Sequence, residues 1–194
     1  MKESRIEAIL KKCKAILKGH FILASGRHTG DCVDKFKIYE NENIFSELCW
    51  QIAEELSSRF SDYSGNRIEA VVGPERGGKI LARRIASYLQ GLYRGQRVLV
   101  LSTKKDKKGS QVLVERDKKD IRGKKVLIVD DFLSTDGTLK QVISEIRKVE
   151  GIILGIAVVY RSSKKPLREI DGVPIVSVQL ELEIEEFLAK KPKI

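Results

Sequence analysis

The sequence predicts an α/β fold with a central parallel sheet flanked by helices. Two observations predict it. Strand-length runs that are apolar on both faces recur along the chain: Ile68–Val72, Val98–Leu101, Val126–Val129 and Ile152–Tyr160. Segments of helical periodicity stand between them. Strands buried on both faces need helices above and below, which a parallel sheet with crossover helices supplies. Ligands of such sheets bind beyond the carboxyl ends of the strands, so residues that follow strands are the ones to read for function.

Taken in order, residues 3–17 read as an amphipathic helix, with Ile6, Ile9, Leu10, Cys13 and Leu17 on one face. Residues 20–39 hold short extended pieces around the turn Ser25-Gly26-Arg27. A second helix over 43–60 aligns Ile44, Leu48, Ile52 and Leu56. After the strand at Ile68–Val72, the turn Gly73-Pro74-Glu75-Arg76-Gly77-Gly78 leads into a helix carrying Ile80, Leu81, Ile85 and Leu89. A polar excursion follows the strand at Val98–Leu101 and runs to about residue 121. The strand Val126–Val129, a loop, and a helix with Leu139, Val142, Ile143, Ile146 and Val149 come next. Ile152–Tyr160 and Ile175–Val178 are the last strands, before a short acidic helix.

The 194 residues suffice for one domain with a real core, and the 42% hydrophobic residues are spread evenly. No apolar run approaches the ~20 residues that cross a bilayer. The charged N-terminal segment carries no secretion signal, so the cytoplasm is the expected compartment and no membrane is expected as partner. Cys13, Cys32 and Cys49 form no zinc or redox spacing and read as reduced thiols. The net charge of +10 is partly concentrated in Lys104, Lys105, Lys107 and Lys108 and in the basic run 118–125. Few aromatics stand beside these charges to stack on bases, which argues against nucleic acid as the partner.

The segment VLIVDDFLSTDGTLKQVI, residues 126–143, carries the strongest chemistry. A buried strand ends in Asp130 and Asp131, and Ser134-Thr135-Asp136-Gly137-Thr138 then opens a helix. Free backbone N–H groups at a helix start attract phosphate. Ser134, Thr135 and Thr138 add hydroxyl donors. The paired carboxylates suit ribose hydroxyls, or a Mg²⁺ reached through water. The combination suits a phosphorylated sugar.

This stretch resembles the phosphoribosyl pyrophosphate motif of type I phosphoribosyltransferases, with Asp136 standing where the family most often has glycine. The resemblance runs from about residue 18 to 180. It implies that Val71–Gly78 meets pyrophosphate, with Gly77 and Gly78 admitting a close backbone approach and Arg76 offering a forked donor. Thr103–Ser110 looks like the Lys-rich lid of the orotate phosphoribosyltransferase subfamily, with Lys104 and Lys107 in place of its lysines and Lys108 where it tends to have histidine. Gly19–Thr29 looks like that subfamily's N-terminal hood, with His28 at the position of a lysine that meets base and diphosphate. Arg161 falls at the strand end where that subfamily pairs an arginine with the base's carboxylate.

The resemblance thus implies a single domain over 1–194, with a hood about 18–40 plus the C-terminal region and a core about 65–180. It implies Mg²⁺ as cofactor and phosphoribosyl pyrophosphate as substrate, with orotate or another base such as a purine as acceptor. Catalysis would rest on Lys104, Lys107, Lys108 and Asp131. A homodimer is implied because the subfamily shares its lid between subunits. A non-catalytic relative that binds nucleic acid is the alternative from another class, and the intact acid pair and Lys-rich lid argue for retained chemistry.

Overall fold

Alternation of buried side chains along each strand builds the core. Val71, Leu127, Val129, Ala157 and Val159 belong to one apolar cluster, while Ala70, Val72, Val126, Ile128, Ile156 and Val158 belong to another. Successive side chains of a strand point to opposite faces, so the clusters lie on the two sides of one sheet. The computed structural model describes residues 5–22, 28–61, 65–133, 136–162 and 167–182.

The main sheet has seven strands: β3 (Ala70–Gly73), β4 (Leu99–Lys105), β5 (Gln111–Leu113), β6 (Lys125–Leu133), β7 (Ile152–Ser162), β8 (Glu169–Ile170) and β9 (Val173–Leu182). Their order is β5-β4-β3-β6-β7-β9-β8. The five inner strands pair in parallel, and β5 and β8 close the two edges antiparallel. The parallel sheet expected from the sequence is present.

Helices α3 (Glu42–Arg59) and α4 (Gly77–Leu92) cover one face. Asn41 caps α3 by accepting from the Ile44 N–H at 3.1 Å, and Ile44, Leu48, Ile52 and Leu56 form the buried stripe. Helix α6 (Gly137–Lys148) covers the other face, burying Leu139, Val142, Ile143 and Ile146.

The N-terminal segment departs from the expected helix over 3–17. Helix α1 (Arg5–Lys12) stops early, and Lys14 takes a left-handed φ of 54°. The chain then runs as β1 (Ile16–Ile22), antiparallel to β2 (His28–Val33) with Ile16 opposite Val33. The Asp34 N–H donates to the Ala15 carbonyl at 2.8 Å and closes this ribbon. Leu17 fits the helical stripe equally well, so only pairing with β2 decides between the two. Helix α2 (Lys35–Tyr39) follows, capped by the Asp34 carboxylate accepting from the Phe36 N–H at 3.1 Å. The short acidic helix expected after residue 178 lies outside the described residues.

The polar excursion is an ordered hairpin of β4 and β5 followed by α5 (Glu115–Ile121). The Asp106 carboxylate closes its turn, accepting from the Lys108 N–H at 2.8 Å and the Ser110 N–H at 2.9 Å, and Gly109 supplies a φ of 82°. Its second strand is fastened to α6: Gln141 accepts from the Gln111 N–H at 2.8 Å and Glu145 from the Leu113 N–H at 3.1 Å. Burial pushes the Glu145 carboxyl up, but Lys148 and the Leu113 N–H outweigh it and hold it below its ordinary range. Replacing Glu145 with alanine leaves a buried N–H unmet, a loss of about 1–3 kcal/mol. Amide exchange at 111–113 is then expected to accelerate well beyond that of β6.

Candidate active site

Strand β6 delivers two carboxylates to the end of the sheet, and the sheet's pleat sends them different ways. Asp130 is buried, 9% exposed, and accepts from the Asp131 N–H at 2.9 Å. Burial, then the neighbouring Asp131 charge, push its carboxyl up to about 8. Asp131 faces α2. Its Oδ2 accepts from Lys35 Nζ at 3.0 Å and from the Tyr39 hydroxyl at 2.9 Å. Lys35 and Tyr39 stand four residues apart on α2, so one helix face presents both donors. Burial and the Asp131 charge hold the Tyr39 phenol far above its ordinary pKa, so it remains a neutral donor.

Behind the pair runs the turn from β3 into α4. A side chain at Gly73 would collide with the Gly78 carbonyl. One at Gly78 would come within 2.6 Å of Pro74 Cδ and 3.3 Å of Asp130 Oδ1. One at Gly77 would overlap Asp131 Oδ2 and approach the Tyr39 hydroxyl to 2.7 Å. These glycines therefore let the turn lie directly against the acid pair. Arg76 is exposed with φ 74° and ψ −112°, a conformation that costs about 1–3 kcal/mol for a non-glycine residue. Glu75 joins this turn to the hairpin, its carboxylate accepting from the Lys105 N–H at 3.0 Å. Gly77→Ala is expected to displace Asp131 and lower kcat/KM by about 100-fold or more, given an overpacking cost of about 1–3 kcal/mol added to lost hydrogen bonds. Steady-state kinetics and thermal unfolding of the variant check this.

Beyond β6 the chain opens α6. Asp136 has φ −80° and ψ −7°, so no left-handed backbone is asked of it, and its carboxylate sits 2.7 Å from Lys140 Nζ. Gly137 and Thr138 are exposed at the helix start. Ser134 and Thr135 lie outside the described residues. The N-terminal N–H groups of α6 give this end positive polarity.

The remaining expected residues are dispersed. Lys104, Lys107 and Lys108 are exposed on the hairpin. His28 opens β2 opposite Ile22, and its side chain lies outside the described part. Arg161, opposite Leu133 on β7, is 7% exposed and gives Nη1 to the Leu167 carbonyl at 2.6 Å. Between the β1–β2 ribbon, α2 and the sheet end lies a cavity of about 470 Å³, walled by Leu17, Phe21, Val159, Tyr160, Phe132, Lys35 and Asp131 among others. Phe132 and Tyr160 stack there at 4.7 Å.

Sequence reasoning missed Lys35, Tyr39 and Glu75. The signal for the first two was Asp34, a capping residue that starts a one-turn helix bearing a cation and a phenol at i and i+4. Among the described residues no three His, Cys, Asp or Glu side chains gather to ligate a metal. The two adjacent carboxylates fit a Mg²⁺ only if substrate oxygens or water complete its shell.

Residues 38–189 match the family described as phosphoribosyl transferase domain. The orotate phosphoribosyltransferase of Caldanaerobacter subterraneus subsp. tengcongensis is 32% identical over 189 residues, covering 96% of this chain and 88% of that protein. That of Thermoanaerobacter sp. (strain X514) is 29% identical over 182 residues, covering 93% and 87%. The crystal structure of orotate phosphoribosyltransferase from Aeropyrum pernix matches with a TM-score of 0.64 at 20% identity, covering 89% of this chain and 93% of that one, and shows a shared fold.

Proposed function

The chain belongs to the phosphoribosyl transferase domain family, and from that premise we propose that it transfers the phosphoribosyl group of phosphoribosyl pyrophosphate to orotate, giving orotidine 5′-monophosphate and pyrophosphate in pyrimidine biosynthesis. The observation that carries this reading is the Asp130–Asp131 strand end, backed by Gly77 and Gly78 and followed by the opening turn of α6.

In this reading a ring nitrogen of the base attacks the anomeric carbon as the bond to pyrophosphate breaks. The base's ring proton passes to solvent. No covalent protein nucleophile is required. The chain's work is to position two anions and to stabilise charge where it develops. Residues 134–138 hold the 5′-phosphate, and Asp130 and Asp131 accept from the ribose hydroxyls. Arg76 and the hairpin lysines Lys104, Lys107 and Lys108 meet the leaving diphosphate. Asp130 and Asp131 would hold a Mg²⁺, which when bound would supply further positive charge at that leaving group. His28 and Arg161 contribute to selection of the base. A homodimer in the cytoplasm, sharing its lids between subunits, completes the proposal.

One observation favours a second acceptor. Arg161 gives Nη1 to the Leu167 carbonyl, and the cavity beside the acid pair is mostly apolar. A less charged base such as a purine suits those walls. Turnover with orotate, uracil, adenine, guanine and hypoxanthine decides. Pyrophosphate release with orotate alone supports the proposal, and release with a purine but not orotate replaces it.

A further inference from the structure

The cavity beside Asp131 has an unequal charge lining. Among its described residues Lys35 is the single cation, set against Asp34 and Asp131 and otherwise largely apolar walls. Lys35 is nevertheless turned onto Asp131 Oδ2 at 3.0 Å, with its side chain 43% exposed against 14% for Asp131. Tyr39 holds the same oxygen, but its ring is fixed edge-on against Phe45 with centroids 5.4 Å apart. Of the two donors, Lys35 is the one with room to leave.

We propose that Lys35 is a further specificity residue, beside His28 and Arg161, that recognises the carboxylate of the acceptor base, and that Asp131 holds it in reserve until a ribose takes over that oxygen. The inference rests on the reading of this site as a phosphoribosyltransferase site. Ribose hydroxyls donating to Asp131 compete with the ammonium for the same lone pairs. An ammonium displaced at the rim of the cavity is free to pair with a new anion, and a planar acid with a carboxylate supplies it. Arg161 already gives Nη1 to a backbone carbonyl and does not line the cavity. The sugar phosphate therefore prepares the site of the acidic base, and the two ligands bind with positive coupling.

The test is calorimetric titration of orotate into the wild type, Lys35→Gln and Lys35→Arg, with and without saturating ribose 5-phosphate. In the wild type, ribose 5-phosphate is expected to tighten orotate about tenfold, within the usual range of coupling between sites. Lys35→Gln is expected to weaken orotate by about 30-fold or more and to erase the coupling, while Lys35→Arg retains most of both. Affinity for ribose 5-phosphate itself should change by less than about threefold in Lys35→Gln, because Tyr39 still holds Asp131. Orotate binding in Lys35→Gln equal to the wild type overturns the proposal. So does an equal loss of orotate and ribose 5-phosphate, which marks Lys35 as a mere support for Asp131, and so does a wild type whose orotate affinity ignores the sugar. Orotate that binds as expected but is never converted counts against the transfer reaction alone.

Discussion

Exchanging Asp130 and Asp131 together for asparagine is expected to abolish binding of phosphoribosyl pyrophosphate while leaving the fold intact. The substitution keeps the volume of both side chains, so Gly77 and Gly78 still fit behind them. What it removes is charge. Hydrogen bonds to a charged group are worth about 1.5–3 kcal/mol each, so losing two of them weakens binding by roughly a thousandfold. The two positions are unequal. Burial and the Asp131 charge push the Asp130 carboxyl up, so asparagine there is the milder change. Asp131 carries the charge that Lys35 answers. The single Asp131→Asn change is therefore expected to cost more than Asp130→Asn. Calorimetry with the substrate, beside thermal unfolding of each variant, checks the order. Retained binding in the double variant would refute the ribose role of the pair.

Lys107→Ala is expected to lower kcat by about 100-fold or more, with nucleotide binding largely intact. Lys107 is exposed in the hairpin turn that Asp106 organises, and its backbone closes no hydrogen bond of that turn. Removing its side chain leaves the Gln141 and Glu145 attachments of β5 undisturbed. An effect on turnover then reports charge at the leaving group rather than collapse of the hairpin. Single-turnover kinetics separates the chemical step from release of product. An unchanged single-turnover rate removes Lys107 from the mechanism.

The strands of the parallel sheet were legible because both of their faces are buried. Val126, Leu127, Ile128 and Val129 are all within 1% of complete burial, and an unbroken apolar run records that state directly. The acid pair was legible for the complementary reason, since two carboxylates ending such a run have no packing role. The start of β1 was not legible. Leu17 satisfies a helical stripe and a strand alike, and the pairing of Ile16 and Leu17 with Val33 and Cys32 settles the matter at long range. The hairpin was hidden because its fastening comes from Gln141 and Glu145, some 30 residues away in sequence. Lys35 and Tyr39 were hidden likewise. Their partner Asp131 lies 96 and 92 residues away, and the cap at Asp34 marks the start of their helix but not that pairing.

The most direct test of the sugar-phosphate cradle is the map of backbone amide shifts in the ¹⁵N-labelled protein as phosphoribosyl pyrophosphate and Mg²⁺ are added. The largest shifts are expected at residues 130–138 and 73–78, the segments to which the acid pair, the opening of α6 and the glycine turn belong. Saturable binding that leaves those two segments unmoved would contradict it.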